Sequence, residues 1–166
     1  MIKLKPCFTL LQSNMKIAVL ISLFIFSTIN LMGQTNNPNY DATLAKTLGA
    51  DNLGMKMYVM VILKTGSNKV ADKAKRDSLF AGHFANINRL IELKKMVVAG
   101  PFEQNEKTYR GIFILDVNTF EEATALLETD PTIKGKIFET EMFHWYGSAA
   151  LPEYLHTADK LWKTKP

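Results

Sequence analysis

The chain has 166 residues, with 20 basic and 16 acidic side chains and a net charge of +4. Lys3, Lys5 and Lys16 stand at its start, and without them 17 basic residues face 16 acidic ones. The basicity therefore belongs to the leader and gives no ground for a nucleic-acid partner. The single cysteine, Cys7, lies in the same stretch, so the rest of the chain has no disulfide framework.

Ile17 to Leu31 carries no charge, and no acidic residue precedes Asp41. A basic segment followed by a short apolar run reads as a secretory signal peptide over residues 1–33, with cleavage near Gly33 and Gln34. A membrane span needs about 20 apolar residues, so no stable anchor is expected after cleavage. The chain is expected to be exported, either periplasmic or secreted.

Residues 34–54 read as a linker holding one short helix, Asp41 to Leu48, with Asp41 as N-cap and Gly49 as C-cap. Met57 to Leu63 is apolar at odd and even positions alike, the mark of a strand covered on both faces. Asp72 to Lys95 has helical apolar spacing through Leu79, Phe80, Phe84, Ile87, Leu90 and Ile91. Met96 to Phe102 is the next strand, Glu103 to Thr108 a charged hairpin loop, and Tyr109 to Val117 a third strand. Thr119 and Glu122 match a capping box and open a helix running to about Thr129. Pro131 forces Asp130 out of helical angles and ends that helix. Ile137 to Trp145 reads as a fourth strand, and Pro152 to Trp162 as a final helix presenting Leu155, Ala158 and Trp162 on one side.

Strand, helix, strand, strand, helix, strand is the ferredoxin-like α+β order, here spanning residues 55–146, with residues 147–166 as a C-terminal extension. It predicts a four-stranded antiparallel sheet with helices on one face. Two helices leave the other face open, so a second copy of the sheet is expected to cover it. The expected homodimer holds a pocket between sheet and helices.

His83 shares the inward edge of its helix with Leu79 and Ile87. It reads either as a half-buried histidine with a backbone partner or as a general acid or base, since imidazole changes charge near neutral pH. A base of this kind needs a group to fix its tautomer, and Asp130 is the candidate; the alternative for Asp130 is a pre-proline turn residue bonding nearby amides. Gly100-Pro101 fits either a strand-end bulge or the floor of a pocket. Arg89 and Arg110 are candidate anion contacts, or solvated charges on a helix face and a strand end. His144 and His156 have no partner at metal-ligand spacing, so no metal is expected. No glycine-rich phosphate loop or serine nucleophile elbow is present, and no cofactor is expected.

Several motifs together resemble the YCII-related (YciI) family. They are the run His83 to Leu90 (HFANINRL), Val98-Ala99-Gly100-Pro101, Tyr109-Arg110-Gly111, Glu121-Glu122-Ala123 and Asp130-Pro131. The resemblance covers about Met57 to Tyr146. It implies a ferredoxin-like fold that dimerises into an α+β barrel, and a candidate active site of His83 and Asp130. Some relatives act on small aromatics, including a dehydrochlorinase of chlorinated hydroxyquinols. Lys94-Lys95 departs from the pattern, standing where members often place a glycine after the helix.

Two functions follow from this reading. One is a cofactor-independent lyase- or isomerase-like enzyme, with His83 and Asp130 catalytic and Gly100, Pro101 and Arg110 contacting a small organic ligand, small aromatics included. The other is a non-catalytic ligand-binding or dimeric interaction module of the cell envelope.

Overall fold

The computed structural model describes residues 37–158 and 160–163. The signal peptide and its cleavage point lie outside the described residues. A short helix, α1 (Ala42–Leu48), opens on Asp41, whose carboxylate accepts from the amides of Thr43 and Leu44. It closes on Gly49 at φ 72°, a left-handed angle that glycine adopts without penalty.

Four strands follow in the sheet: β1 (Met55–Thr65), β2 (Met96–Pro101), β3 (Tyr109–Leu115) and β4 (Phe138–Ser148). Their spatial order is β2-β3-β1-β4, and every neighbouring pair is antiparallel. The two crossovers are carried by α2 (Lys73–Glu92) and by α3 (Phe120–Leu127) with a single turn, α4 (Pro131–Lys134). This is the ferredoxin-like α+β arrangement.

The alternation of β1 explains its double apolar pattern. Val59, Val61 and Leu63 face the helices and are buried with Leu90 of α2, Phe113 and Leu115 of β3, and Leu127 of α3. Tyr58, Met60 and Ile62 point to the other face. There Tyr58 is buried with Val97 and Ile114 beneath Trp145 and Leu151, so the chain's own C-terminal segment covers one end of that face. Met60, Ile62, Val98 and Ile112 are only half-buried. Each fully buried side chain of this size stabilises the fold by about 1.5–3 kcal/mol relative to exposure.

The helix ends show where local signals held and where they were redirected. Thr119 accepts from the Glu122 amide at 3.2 Å, as a capping box requires. The Glu122 carboxylate, however, takes Lys95 Nζ at 2.7 Å. This half-exposed ion pair engages the carboxylate that would otherwise complete the box. After α2, Lys94 adopts φ 56° where a glycine would fit. Its amide bonds to Ile91 O, and that of Lys95 bonds back to Leu90 O, a Schellman closure. A non-glycine residue in this region costs about 1–2 kcal/mol.

The C-terminal helix is shorter than its sequence suggests. Leu151–Tyr154 forms a 3₁₀ turn and Leu155–Ala158 a single α turn, α5, while Trp162 is 52% exposed. Isolated helices this short have too little propagation to offset nucleation. Helix α3 stops at Leu127, two residues short of Thr129, and Asp130 is extended as Pro131 requires, serving also as the N-cap of the next turn.

The candidate active site: a buried histidine–aspartate pair

The buried face of α2 runs through His83, Asn86 and Leu90, spaced three and four residues apart. His83 is 7% exposed, so its ring lies among core groups. Four phenylalanine rings surround it, with centroids 6.2 Å away for Phe80, 5.6 Å for Phe84, 5.9 Å for Phe113 and 5.5 Å for Phe138. Phe84, 45% exposed, is the member of that shell open to solvent.

Asp130 enters from α4. Pro131 at the first helical position holds Asp130 at φ −82° and ψ 120°, extended backbone that lets its side chain fold over the helix start. The approach of α4 to α2 depends on Gly82, where an added Cβ would lie 2.6 Å from Pro131 Cγ. Gly66 performs a similar service beneath. A Cβ there would meet Lys136 O at 2.2 Å, and its amide donates to Ile137 O at 2.7 Å. The loop after β1 is thereby tied to the segment that follows Asp130.

Nδ1 of His83 and Oδ2 of Asp130 are 2.6 Å apart. Oδ1 accepts from the Thr132 amide at 2.9 Å and from the Thr132 hydroxyl at 2.6 Å. Thr132 Oγ1 also lies 3.2 Å from His83 Nδ1. Asp130 and Thr132 are both 0% exposed. Burial pushes the Asp130 carboxyl up. The hydrogen bonds from His83 and Thr132, with the nearby imidazole charge, outweigh it and hold the group below its ordinary value.

An ionised carboxylate only accepts, so the short contact requires the proton on Nδ1. Nε2 is then the atom with the free lone pair in the neutral ring. It bonds to no described residue, and among those residues no buried side-chain nitrogen or oxygen lacks a partner. The side chain as a whole keeps 8% of its surface accessible. A buried carboxylate behind one nitrogen and a free lone pair on the other can take up a proton and stabilise the imidazolium that results.

The structure brings His83 and Asp130 together and leaves the other candidates apart from them. Gly100 pairs with Ile112, whose neighbour Phe113 carries the ring touching His83. Successive strand residues point to opposite faces, so Gly100 and Arg110 stand on the sheet face away from His83. Pro101 pairs with Gly111 at the exposed end of the edge strand. The close backbone approach here belongs to Gly111, whose added Cβ would meet Gly100 O at 2.8 Å.

Arg89 is tied to Asn86 Oδ1 at 2.9 Å and to Thr129 Oγ1 at 2.7 Å, linking α2 to the end of α3. His144 stacks on Phe120 with centroids 4.2 Å apart. Two shallow concavities, of about 520 and 490 Å³, are lined by the β2–β3 hairpin and by the α3, α4 and β4 surfaces. Neither takes in His83 or Asp130. Among the described residues, no cluster of three or more metal-ligating side chains occurs. No helix among them is long and apolar enough to cross a membrane.

Thr132 and Gly82 are parts of the site that sequence reasoning missed. A glycine inside a helix beside the candidate histidine was the available signal for Gly82. Thr132 had a weaker one, a hydroxyl two residues after the aspartate.

A ferredoxin-like domain with a buried histidine–aspartate pair between its helices defines a recognisable class. The chain belongs to the YCII-related domain family, whose model matches residues 57–146. No curated protein matches it. One similar solved structure is the 5-chloro-2-hydroxyhydroquinone dehydrochlorinase of Burkholderia phenoliruptrix AC1100, in complex with 2,5-dihydroxybenzoquinone. It is 20% identical over 52% of this chain and 92% of that chain, with a TM-score of 0.39.

Proposed function

We propose that His83 and Asp130 form the acid/base pair of an enzyme acting on a small organic molecule, with Nε2 of His83 as the working atom. The observation that carries this reading is the 2.6 Å bond between Nδ1 and a buried, ionised carboxylate. Nε2 takes a proton from a C–H or O–H group of the substrate, leaving the electron pair on the substrate. The imidazolium is stabilised by Asp130 and returns the proton to another atom or to a leaving group. The net change is an isomerisation or an elimination. Such a step draws on the imidazole and the carboxylate alone. The phenylalanine shell, with Phe84 at its open side, favours an apolar, carbonyl-bearing or hydroxylated substrate.

The substrate contacts proposed for Gly100, Pro101 and Arg110 require a ligand or second subunit spanning the sheet edge. Export, proposed from the leader, places the reaction outside the cytoplasm.

The test is a proton-exchange screen. The full-length chain is incubated in D₂O with a panel of carbonyl-bearing small aromatics and aliphatics, and loss of C–H signal is followed by NMR. Exchange or turnover of at least one compound is expected, falling by a factor of about 10²–10⁴ in His83→Gln. Exchange that persists undiminished in His83→Gln overturns the reading. Saturable binding that the substitution leaves untouched, with no exchange, supports a ligand-binding module instead.

A further inference from the structure

We propose that Thr132 is the positioning residue of the pair: it fixes the Asp130 carboxylate so that only Oδ2 faces His83, and thereby keeps the imidazole protonated on Nδ1. The proposal rests on the acid/base reading for its purpose, but it concerns the state of the ring before any substrate binds.

A carboxylate torsion is broad and roughly two-fold, so an aspartate alone can offer either oxygen, or turn both out of line. Here both polar groups of Thr132 converge on one oxygen, with the amide at 2.9 Å and the hydroxyl at 2.6 Å from Oδ1. The amide bond is the ordinary contribution of a helix N-cap, because amides in a first turn have no partner within the helix. The hydroxyl bond is additional. It comes from a β-branched side chain whose χ1 is stiff, in a residue with no exposed surface.

The same hydroxyl discriminates between tautomers. Its single proton is committed to Oδ1, so what it turns toward Nδ1 at 3.2 Å is a lone pair. An Nδ1–H meets two acceptors there, Oδ2 in front and Oγ1 beside it. A bare Nδ1 would meet the same two acceptors with no proton between them, an uncompensated arrangement in a buried site. Thr132 therefore adds to the bias that Asp130 imposes, and leaves Nε2 as the atom that accepts.

The experiment is long-range ¹H–¹⁵N NMR of the histidine rings in the full-length chain, comparing wild type with Thr132→Val and Thr132→Ser. Wild type is expected to show the His83 proton on Nδ1 at neutral pH, slow to exchange with water. Thr132→Val keeps the shape and the amide but lacks the hydroxyl. It should show a mixture of tautomers and an Nδ1 proton exchanging about tenfold faster, as expected for one lost buried hydrogen bond. Thr132→Ser should restore both. If Val perturbs backbone amide spectra elsewhere, Thr132→Ala gives the same reading without the branched methyl.

An Nδ1 proton unchanged in both Val and Ala overturns the proposal. So does a serine variant that behaves like valine, or a wild-type ring protonated on Nε2. A ring that responds as expected in a protein that turns over nothing would uphold Thr132 and remove the acid/base reading, so the two failures are distinguishable.

Discussion

At the scale of single residues, the pair is a charge placed where charge is costly. Asp130 has no exposed surface, and an unpaired carboxylate there would face a desolvation penalty of several kcal/mol. Three donors hold it ionised instead, one from His83 and two from Thr132. Its folded value lies below the ordinary 3.8, so the stabilisation is complete above the unfolded value and is lost as pH falls below about 4. Asp130→Asn should cost about 2–3 kcal/mol near neutrality, because the amide replaces a carboxylate that accepts three buried hydrogen bonds. That deficit should shrink as pH is lowered from about 5 toward about 3, because only the wild type has a carboxylate to protonate. Urea midpoints of both proteins across that range check it, and a constant gap between them would contradict it. His83 and Asp130 were legible in the sequence because each sits at a position with a second meaning, an inward helix edge and a pre-proline site. Thr132 was not, since nothing in a linear sequence shows which oxygen a hydroxyl will reach.

At the scale of elements, the site is set by how closely α4 can lie against α2. Gly82 is the residue that decides this. A methyl there would sit 2.6 Å from Pro131 Cγ, an atom that can yield only by a change of ring pucker. Alanine in a helix interior ordinarily gains about 1 kcal/mol over glycine, but here overpacking opposes that gain with about 1–3 kcal/mol. The contact lies beside the buried pair, so we expect Gly82→Ala to be net destabilising by up to about 2 kcal/mol. It should also move the imidazole resonances of His83 by shifting Asp130. Thermal unfolding and the histidine spectra read the two effects, and a variant more stable than wild type with unchanged resonances would show that α4 yields freely.

The helices and strands themselves were largely legible, because apolar periodicity and caps such as Asp41 and Thr119 are local. Element ends were less so. Glu122 was drawn to Lys95 from a distant part of the sequence, and Lys94 accepted a left-handed angle that its side chain does not favour. The first depends on a side chain 27 residues away, and the second on a helix closure whose usual glycine signal is missing from the sequence.

At the scale of the whole molecule, the sheet has one face covered by helices and one that the chain covers only in part. Trp145 and Leu151 close the end over Tyr58, and Tyr154 donates its hydroxyl to Val97 O across the same end. Tyr58 is secured there by a bond to Ser148 O at 2.8 Å, and burial, with the Asp116 charge nearby, pushes its hydroxyl up to about 12. Beyond this patch, Met60, Ile62 and Ile112 form a half-buried apolar surface, with the Lys64–Glu141 ion pair beside it. Two sheets pack face to face at about 10 Å through surfaces of this kind. We expect a second copy to cover this surface, since each sheet would offer the other the same alternation of side chains. A stable interface buries about 1,200–2,000 Å² in total. Sedimentation velocity of the full-length chain is expected to show a dimer at about 10 μM, above the micromolar limit of interfaces of that size. Ile62→Asp should convert it to a monomer without loss of secondary structure, because a charge at the centre of an apolar interface is desolvated on association and left unpaired. A wild-type chain that remains monomeric would mean that the C-terminal segment alone suffices to protect this face. The exposed part of the sheet would then be free to meet a ligand or another protein.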